Sequence, residues 1–439
     1  MKRTTFTSVL VLLMGLSAFC QESNFNKLDS LFSHLESHDR FMGSLALSEN
    51  GKTIYSKTIG YADIDAQQEI DEKTKFRIGS ITKMFTSTLT FMAMEENKID
   101  LEQTIETYFP NIENAHLITI GNLLNHRSGI FNFTNRKDFL IWHTIPKTKE
   151  EMLQLIAEGK SVFQPNSKAE YSNSNYVLLT FILEDVYKKE YAELIQNKIV
   201  KPLQLEHTYL GKKIDTKNNE ALSYGYDGSW IKKTEADMSI PLGAGAIVST
   251  PEDLNKFATA LFNERLVSKK SLDQMMTFTE GYGMGLFEMP FYDKKGFGHN
   301  GAIDGFSSQL AYFPKDNICA TVISNGNRYN NNTILIAILS SYYDKPFDIP
   351  RFKYIALTSE ELDKYLGVYS SSEIPLKITV IKEGTTLMAY ATGQSSFPLE
   401  AVENDIFEFS AAGIRMEFDP ENKTMLLKQG GGVFNYKME

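Results

Sequence analysis

The chain has 439 residues, of which 42% are hydrophobic and 23% charged, a composition typical of globular proteins and unlike that of disordered or fibrous ones. This length allows a large buried core and roughly two or three domains. The formal net charge is −10 at pH 7, and an acidic chain without a basic cluster repels phosphate backbones, so nucleic acid is excluded as a partner.

The first twenty residues predict a secretory signal peptide. Two basic residues precede an apolar run from Val9 to Leu16, and the segment ends near Cys20. We expect a mature chain that begins at Gln21, retains Cys319 as its single cysteine and carries 43 basic and 55 acidic residues, a formal charge of −12. The expected location is periplasmic or extracellular.

Two alternatives to a cleaved signal peptide remain open. A membrane anchor is disfavoured because the apolar run is shorter than the ~20 residues that a span needs, and no later segment is long enough either. A lipid-modified Cys20 is a minor possibility, since the bulky Phe19 precedes it. We therefore expect no transmembrane segment in the mature chain, and the oligomeric state stays open.

The first elements alternate between helix and strand. Apolar spacing predicts a helix over Leu28 to Arg40. The Asn50-Gly51 dipeptide predicts a hairpin between the strands Phe41 to Ser48 and Thr53 to Tyr61. The segment Met84 to Met94 is apolar on nearly every side, which is typical of a buried helix.

The middle of the chain predicts a long helical section followed by strands. Helices predominate from Ile120 to Gly305, including Asn175 to Tyr187 and a helix from Pro251 to Phe262 that Thr250 caps. A second hairpin joins Gln309 to Phe313 with Ile318 to Ser324, and a helix from about Thr333 to Tyr343 follows. This order predicts one α+β domain over 21–343, with an antiparallel sheet, flanking helices and a helical subdomain.

The remaining residues predict a linker and a small β domain. Residues 344–357 are the expected linker, and Thr358 with Glu361 has the spacing of a capping box before a short helix. Short strands with turns every ten or so residues predict an antiparallel barrel or sandwich over 358–439. The eight expected strands are Gly367 to Tyr369, Leu376 to Ile381, Thr386 to Ala391, Pro398 to Val402, Ile406 to Ser410, Ile414 to Phe418, Met425 to Lys428 and Val433 to Lys437.

Ser80 and Lys83 are the first candidate catalytic pair. Their spacing places both side chains on one face of the buried helix, with the serine at its positively polarised start. Burial disfavours a charged lysine, so Lys83 could accept the Ser80 proton. A capping serine beside a surface lysine is the structural alternative. A second Ser-x-x-Lys, at Ser229 to Lys232, has no helix behind it and serves as a comparison.

Two further motifs carry candidate site residues. Tyr171-Ser172-Asn173 combines a phenol, which loses or passes on a proton more readily beside an ammonium, with an amide that can hold a carbonyl. His299-Asn300-Gly301-Ala302 lies before a strand, where glycine allows close backbone approach and His299 can supply a cationic or hydrogen-bonding group. Each motif alone is more often structural than catalytic.

The three motifs in this order resemble a known family, the penicillin-recognising serine hydrolases of the class C β-lactamase and D-alanyl-D-alanine carboxypeptidase type. They are similar to its Ser-x-x-Lys, Tyr-x-Asn and Lys/His-x-Gly boxes. The segments LLNHRSGI at 123–130 and GAGAIVSTPEDLNKFATAL at 243–261 resemble further family segments. The resemblance covers about residues 25–343 and implies a β-lactamase/transpeptidase-like fold.

The resemblance implies a role for each motif residue. Ser80 would be the acylated nucleophile, Lys83 its proton acceptor, and Tyr171 the group that passes the proton to the leaving group and activates water. Asn173 would hold the acyl side chain, and the backbone N–H groups of Ser80 and Ala302 would form an oxyanion hole. The other expected substrate-binding residues are His299, Asn300 and Gly301.

The same resemblance implies a secreted hydrolase that forms an acyl-enzyme on amide or ester bonds. A D-alanyl-D-alanine carboxypeptidase or D-amino-acid peptidase activity is expected first, because His299 replaces the lysine of typical β-lactamases. Asn300 stands where threonine is common, so a preference for a free substrate carboxylate is an open question. An esterase or β-lactamase is the alternative, a non-catalytic penicillin-binding sensor is a third, and no metal or organic cofactor is implied.

Overall fold

The computed structural model describes residues 25–352, 355–394, 396–429 and 432–439. The predicted signal peptide lies outside these residues. The chain divides into two compact units, of which one contains Met42–Gly326 with Ile338–Tyr343, and the other contains the residues up to Phe41 together with Asn327–Ala337 and Asp344–Glu439. The domain boundaries proposed from the sequence stay a prediction.

Most of the helices belong to the larger unit. A 3₁₀ turn, Gly79–Ile81, leads directly into a buried helix, Thr82–Glu95. The helices are α1 over 25–37, α2 Thr82–Glu95, α3 Ile120–Leu124, α4 Phe139–Trp142, α5 Lys149–Ala157, α6 Asn173–Tyr187, α7 Tyr191–Ile195, α8 Lys201–Leu203, α9 Pro251–Phe262, α10 Lys269–Met275 and α11 Asn331–Tyr342.

The central sheet has six strands in the order β10-β11-β12-β13-β1-β2, so both ends of the segment complete it as predicted. Strands β5, β6 and β9 form a second, small sheet. The strands are β1 Phe41–Glu49, β2 Lys52–Ile59, β3 Tyr61–Asp63, β4 Gln68–Glu69, β5 Phe76–Arg77, β6 Tyr209–Leu210, β7 Tyr224–Tyr226, β8 Trp230–Lys232, β9 Ile247–Ser249, β10 Phe287–Glu288, β11 Phe297–Ile303, β12 Phe306–Phe313 and β13 Ile318–Asn327.

Local sequence signals explain several of these elements. Asn50 and Gly51 both have positive φ, +52° and +76°, which the tight turn between β1 and β2 requires. Helix α9 begins as predicted, with the Thr250 hydroxyl accepting the Asp253 N–H at 3.3 Å. Helix α2 is buried along nearly its whole length, which confirms the prediction from its apolar sequence.

The C-terminal residues form a closed eight-stranded barrel, which confirms the barrel alternative of the prediction. Its core contains packed side chains, including Tyr365, Phe407 and Phe418. Its strands are β14 Gly367–Ser370, β15 Ile378–Glu383, β16 Thr386–Ala391, β17 Phe397–Glu403, β18 Ile406–Phe409, β19 Ile414–Asp419, β20 Thr424–Gln429 and β21 Gly432–Met438.

The helix predicted after Thr358 is wrong. Both capping-box hydrogen bonds form, Glu361 N–H to the Thr358 hydroxyl at 3.3 Å and Thr358 N–H to the Glu361 carboxylate at 2.7 Å. Only a 3₁₀ turn, Asp363–Tyr365, follows. The physical reason is that Tyr365 is buried in the barrel core and β14 begins at Gly367, which leaves no room for a longer helix.

The described residues contain neither a helix that could span a membrane nor a cluster of metal-binding side chains. None of the helices over these ranges has the length and apolar character needed to cross a membrane. No group of three or more histidine, cysteine, aspartate or glutamate side chains in the same ranges is arranged to hold a metal ion.

Candidate active site

Ser80 lies in the 3₁₀ turn that leads into α2, half-buried at the wall of a cavity. The turn depends on the preceding glycine, because Gly79 has φ +52° and a Cβ there would come within 2.8 Å of the Ala302 backbone nitrogen. Strand β11 therefore runs directly against the turn that carries Ser80. The sequence signal for this approach is the glycine at 79 with the glycine at 301.

Lys83, one helical turn further on, is completely buried and donates to three oxygens. Its Nζ lies 3.1 Å from Ser80 Oγ, 2.8 Å from Asn173 Oδ1 and 2.7 Å from the Ala244 carbonyl oxygen. The amide and carbonyl oxygens can only accept hydrogen bonds, whereas a hydroxyl can also donate. A neutral Lys83 therefore uses its two N–H bonds on Asn173 and Ala244 and directs its lone pair to the Ser80 hydroxyl.

Burial lowers the pKa of the Lys83 ammonium well below its ordinary value. This is the direction expected from the apolar sequence of α2. Burial is the cause of this shift, and no carboxylate opposes it among the residues that the structure describes. The geometry and the lowered pKa both favour an amine that can accept a proton from Ser80.

Tyr171 precedes α6 and lies over the same lysine. The Lys83 Nζ is 4.8 Å from the centre of its ring. Partial burial raises the pKa of Tyr171 above its ordinary value, and a hydrogen bond with Ser80 opposes this only in part. The sequence interpretation of a phenol that loses its proton more readily is therefore corrected, because burial is the largest effect on the pKa of Tyr171 and raises it. Tyr171 is a neutral phenol, and so a proton donor, at neutral pH.

His126 holds the segment that contains Tyr171, and sequence reasoning assigned it no role. Its carbonyl accepts the Glu170 N–H at 2.9 Å, its ring centre lies 4.4 Å from that of Tyr171, and its Nδ1 accepts the Ser172 N–H at 3.2 Å. Burial, followed by the charges of Lys83 and His299, lowers the pKa of His126 well below its ordinary value. Its only sequence signal is its position in LLNHRSGI.

Asn173 begins α6 and links the second motif to the first. Its backbone N–H donates to Asn132 Oδ1 at 3.1 Å, and its side-chain amide donates to Thr134 Oγ1 at 3.3 Å. These contacts orient the amide so that its oxygen faces Lys83. Asn173 therefore contacts Lys83 and also lines the cavity.

His299 lies on β11, buried between aromatic rings. Its ring centre is 4.5 Å from that of Phe287 and 6.4 Å from that of Tyr171. Burial, with a smaller effect of Lys83, lowers the pKa of His299 to about 3, so the ring is neutral at neutral pH. Its Nδ1 makes a short hydrogen bond to the Asn300 carbonyl, which only accepts, so Nδ1 carries the proton and Nε2 the lone pair.

The remaining residues of the third motif have different environments. A Cβ on Gly301 would lie 2.1 Å from the Ile78 carbonyl oxygen and 3.0 Å from the Ser80 nitrogen, so only glycine fits there. Ala302 is exposed and lines the cavity beside Ser80, and Asn300 is exposed but does not line it. The structure thus brings the backbones of Ser80 and Ala302 together, whereas Asn300 lies outside the cavity wall.

The cavity beside Ser80 has a volume of about 570 Å³. Buried Arg77 organises one of its walls, donating to Asp304 Oδ2 and Glu235 Oε2, each at 2.7 Å, and to the Ala236 carbonyl at 3.0 Å. The lining residues are Ser80, Phe133, Thr134, Phe139, Leu140, His143, Asn173, Lys233, Thr234, Ala236, Ile240, Pro241, Ala244, Gly245, Ala302, Ile303 and Asp304.

The second Ser-x-x-Lys motif has none of this context. Ser229 is exposed in the turn of the β7–β8 hairpin, and Lys232 is exposed on β8. The two motifs share their spacing but differ in the element that carries them. A helix start against a neighbouring strand distinguishes Ser80 from Ser229.

Comparisons with known proteins agree with this arrangement. The sequence model of the Beta-lactamase family matches residues 28–339. Because this match covers most of the chain, the protein belongs to the Beta-lactamase family, whose fold the larger unit has.

Individual relatives have related names. The chain is 30% identical over 270 residues to a putative penicillin-binding protein, PbpX, of Bacillus subtilis (61% of this chain, 66% of the relative). It is 28% identical over 272 residues to the teichoic acid D-alanine hydrolase of Staphylococcus aureus (60% and 66%). The chain thus spans slightly less than two thirds of the length of these curated relatives.

A solved structure shows a similar fold. The D-amino acid amidase of Ochrobactrum anthropi SV3, in complex with L-phenylalanine, superposes with a TM-score of 0.63 at 25% identity. The similarity covers 73% of this chain and 99% of the amidase.

Proposed function

We propose that this protein is a serine hydrolase that cleaves an ester or amide of a D-amino acid through an acyl-enzyme on Ser80. The observation that carries the proposal is the position of Lys83, whose Nζ lies 3.1 Å from Ser80 Oγ while Asn173 Oδ1 and the Ala244 carbonyl accept its other hydrogen bonds. A buried neutral amine beside a hydroxyl is the arrangement that activates a serine nucleophile.

Acylation would begin with transfer of the Ser80 proton to Lys83 as Ser80 Oγ bonds to the substrate carbonyl carbon. The backbone N–H groups of Ser80 and Ala302 would stabilise the resulting oxyanion, and one such donor contributes about 10²- to 10³-fold to the rate. Collapse of the tetrahedral intermediate breaks the bond to the leaving group. Tyr171, a neutral phenol, donates a proton to that group and receives the proton held by Lys83.

Deacylation would reverse these proton transfers with water in place of the leaving group. Water gives a proton to the Lys83 and Tyr171 pair, its oxygen bonds to the acyl carbon, and the Ser80 oxygen leaves as a hydroxyl after protonation. His299 is neutral, so its expected part is a hydrogen bond through Nε2 rather than a positive charge.

Several observations support D-amino-acid substrates. The Staphylococcus relative is named as a D-alanine hydrolase acting on teichoic acid, and the structural relative is named as a D-amino acid amidase. These names support esters and amides of D-amino acids equally as substrates. A D-alanyl-D-alanine carboxypeptidase or D-amino-acid peptidase belongs to the same proposal, with an esterase or β-lactamase as the alternative.

Active-site labelling tests the nucleophile. A fluorescent fluorophosphonate or penicillin should label the wild-type protein and not Ser80→Ala. Ser229→Ala is the matched control, because it removes the serine of the other Ser-x-x-Lys motif, and it should label like the wild type. Equal labelling of wild type and Ser80→Ala would contradict the proposal, and tight penicillin binding without any turnover would favour the sensor alternative.

We also propose export of the protein, with cleavage near Cys20, on the basis of the N-terminal sequence. Expression with the full N-terminus should place the mature protein outside the cytoplasmic membrane. N-terminal sequencing should find Gln21 as the first residue. A retained N-terminus, or a mass increase on Cys20 from lipid, would contradict simple cleavage.

A further inference from the structure

The cavity is larger than a D-alanyl group requires. Its volume of about 570 Å³ lies within the range of roughly 300–1,000 Å³ typical of sites for drug-sized ligands. The side chain of D-alanine is a single methyl group. A substrate that fills the cavity therefore has a larger group next to its reacting carbonyl or on its leaving group.

The lining indicates which part of the substrate lies there, and this step rests on the proposed function. Ser80, Asn173 and Ala302 line the cavity, whereas Tyr171 and His299 do not. The leaving group must face Tyr171 to receive its proton. Because Tyr171 does not line the cavity, the cavity is assigned to the acyl group, which stays bound to the serine.

One wall of the cavity is apolar. It is formed by α4, the segment before it and the residues around Pro241, and its large apolar residues are Phe133, Phe139, Leu140, Ile240, Pro241 and Ile303. A wall of this kind stabilises an apolar group by removing its surface from water.

The carboxylate that lines the cavity, that of Asp304, is already occupied. Asp304 Oδ2 accepts from Arg77 at 2.7 Å, and its Oδ1 accepts the Ala236 N–H at 2.9 Å. Its side chain is only 3% exposed. Asp304 thus acts as a partner of Arg77 rather than as a free anion that would select a charged acyl group.

The apolar wall continues beyond the cavity onto an exposed surface. Leu140 lines the cavity and is 77% exposed, while Ile141 is 77% and Ile145 51% exposed. These three residues, the aliphatic lip, follow one another within α4 and the turn after it. Exposed apolar residues grouped beside a ligand cavity are typical of a binding surface.

We propose that the acyl group of the substrate carries a bulky apolar portion, of hexyl or benzyl size or larger, which lies against the apolar wall and reaches the aliphatic lip. This proposal concerns the substrate class of the site described above. D-Alanyl groups would then be poor substrates unless an apolar extension accompanies them.

Two phosphonate reagents test this proposal. Both have the same 4-nitrophenyl leaving group, and they differ only in the group on phosphorus, which is methyl in one and hexyl in the other. The Ser80 oxygen forms a bond to phosphorus, the bond to 4-nitrophenolate breaks, and the serine proton passes to Lys83. The measured quantity is the second-order rate of Ser80 modification by mass spectrometry, divided by the rate of hydrolysis of each reagent in buffer. We expect this corrected rate to be at least tenfold higher for the hexyl reagent.

A variant of the aliphatic lip and a control variant on a different part of the surface complete the test. Leu140→Ser removes an exposed apolar side chain that lines the cavity and should lower the hexyl-to-methyl ratio at least threefold. Leu117→Ser changes a leucine that is 50% exposed and lies outside this cavity, and its ratio should equal that of the wild type.

The outcomes separate this inference from the proposed function. Equal corrected rates for the two reagents, with Ser80 modified by both, would overturn the apolar acyl group and leave the serine hydrolase intact. An unchanged ratio in Leu140→Ser would likewise overturn the role of the lip. Absence of modification at Ser80 with either reagent would overturn the proposed function, and this inference with it.

Discussion

At the scale of single residues, the environment of Lys83 determines the expected chemistry. Three acceptors surround its nitrogen, but only the Ser80 hydroxyl can reverse its hydrogen bond and donate. The serine and lysine were predictable because they lie three residues apart on one helix. The Ala244 carbonyl was not, because it lies 161 residues further along the chain.

The pH dependence of hydrolysis should follow Lys83. Its neutral form is the reactive one, so activity is present above its pKa and is lost as the pH falls through that value. His299 has a pKa of about 3 and keeps its charge state near neutral pH. We therefore expect His299→Gln to lower kcat without moving the acid limb of kcat/KM against pH. An acid limb that disappears in this variant would contradict the assignment.

The contacts of His126 make it a positioning residue for Tyr171. His126→Phe keeps a ring beside Tyr171 but cannot accept the Ser172 N–H. We expect kcat to fall about 10- to 100-fold with little change in KM, because small displacements of a catalytic group have effects of this size. His126→Asn, which restores an acceptor oxygen, should recover part of the loss.

The control for the His126 variants is His116→Phe, which changes an exposed histidine and should behave like the wild type. Circular dichroism and thermal unfolding establish that each variant is folded. A folded His126→Phe protein with unchanged kcat would refute the positioning role.

At the scale of elements, the close approach of β11 to the Ser80 turn is the feature on which the oxyanion hole depends. Gly79 and Gly301 both lack room for a side chain at this contact. The sequence showed two glycines in two motifs, but only the three-dimensional structure shows that they face each other.

Gly301→Ala should separate β11 from the Ser80 turn. Its Cβ would meet the Ile78 carbonyl at 2.1 Å, so the strand must move. We expect kcat to fall about 100-fold, since the Ala302 N–H would no longer reach the oxyanion. Gly121→Ala is the control, because its nearest new contact is 3.3 Å away and its activity should be retained. Full activity of a folded Gly301→Ala protein would contradict the proposed oxyanion hole.

The helices and strands were predicted correctly from the sequence where local patterns alone determine the structure. The strands β16 and β19 of the barrel alternate buried and partly buried residues, and the positions of the barrel strands agree closely with the prediction. The prediction failed after Thr358, where the capping box is present but packing of Tyr365 in the barrel core stops the helix. Similarly, the pKa of Tyr171 depends on rings from distant segments, which no local pattern shows.

At the scale of the whole molecule, an ion-pair cluster stabilises the smaller unit. Arg40, only 2% exposed, donates to Glu400 at 2.7 Å, and Arg328 pairs with the same carboxylate. All three residues belong to one compact unit, although 360 positions separate Arg40 from Glu400. Such a separation explains why this cluster was not predictable from local sequence patterns.

Glu400→Gln should destabilise this unit strongly. The substitution removes the carboxylate charge that Arg40 and Arg328 share, and because Arg40 is buried we expect a loss of about 2 kcal/mol in the free energy of unfolding. Asp273→Asn breaks the exposed Lys269–Asp273 pair and should change that free energy by less than about 1 kcal/mol. Urea unfolding measures both, and equal effects of the two variants would contradict the structural role of the cluster.

The most direct test of the whole account is capture of an acyl-enzyme. Wild-type protein is mixed with a D-aminoacyl ester, quenched in acid within the first turnover, digested and analysed by mass spectrometry. We predict a mass increase equal to the acyl group on the peptide that contains Ser80, absent from Ser80→Ala. Turnover of the ester without any such adduct, or with an adduct on another residue, would contradict the assignment of Ser80 as nucleophile.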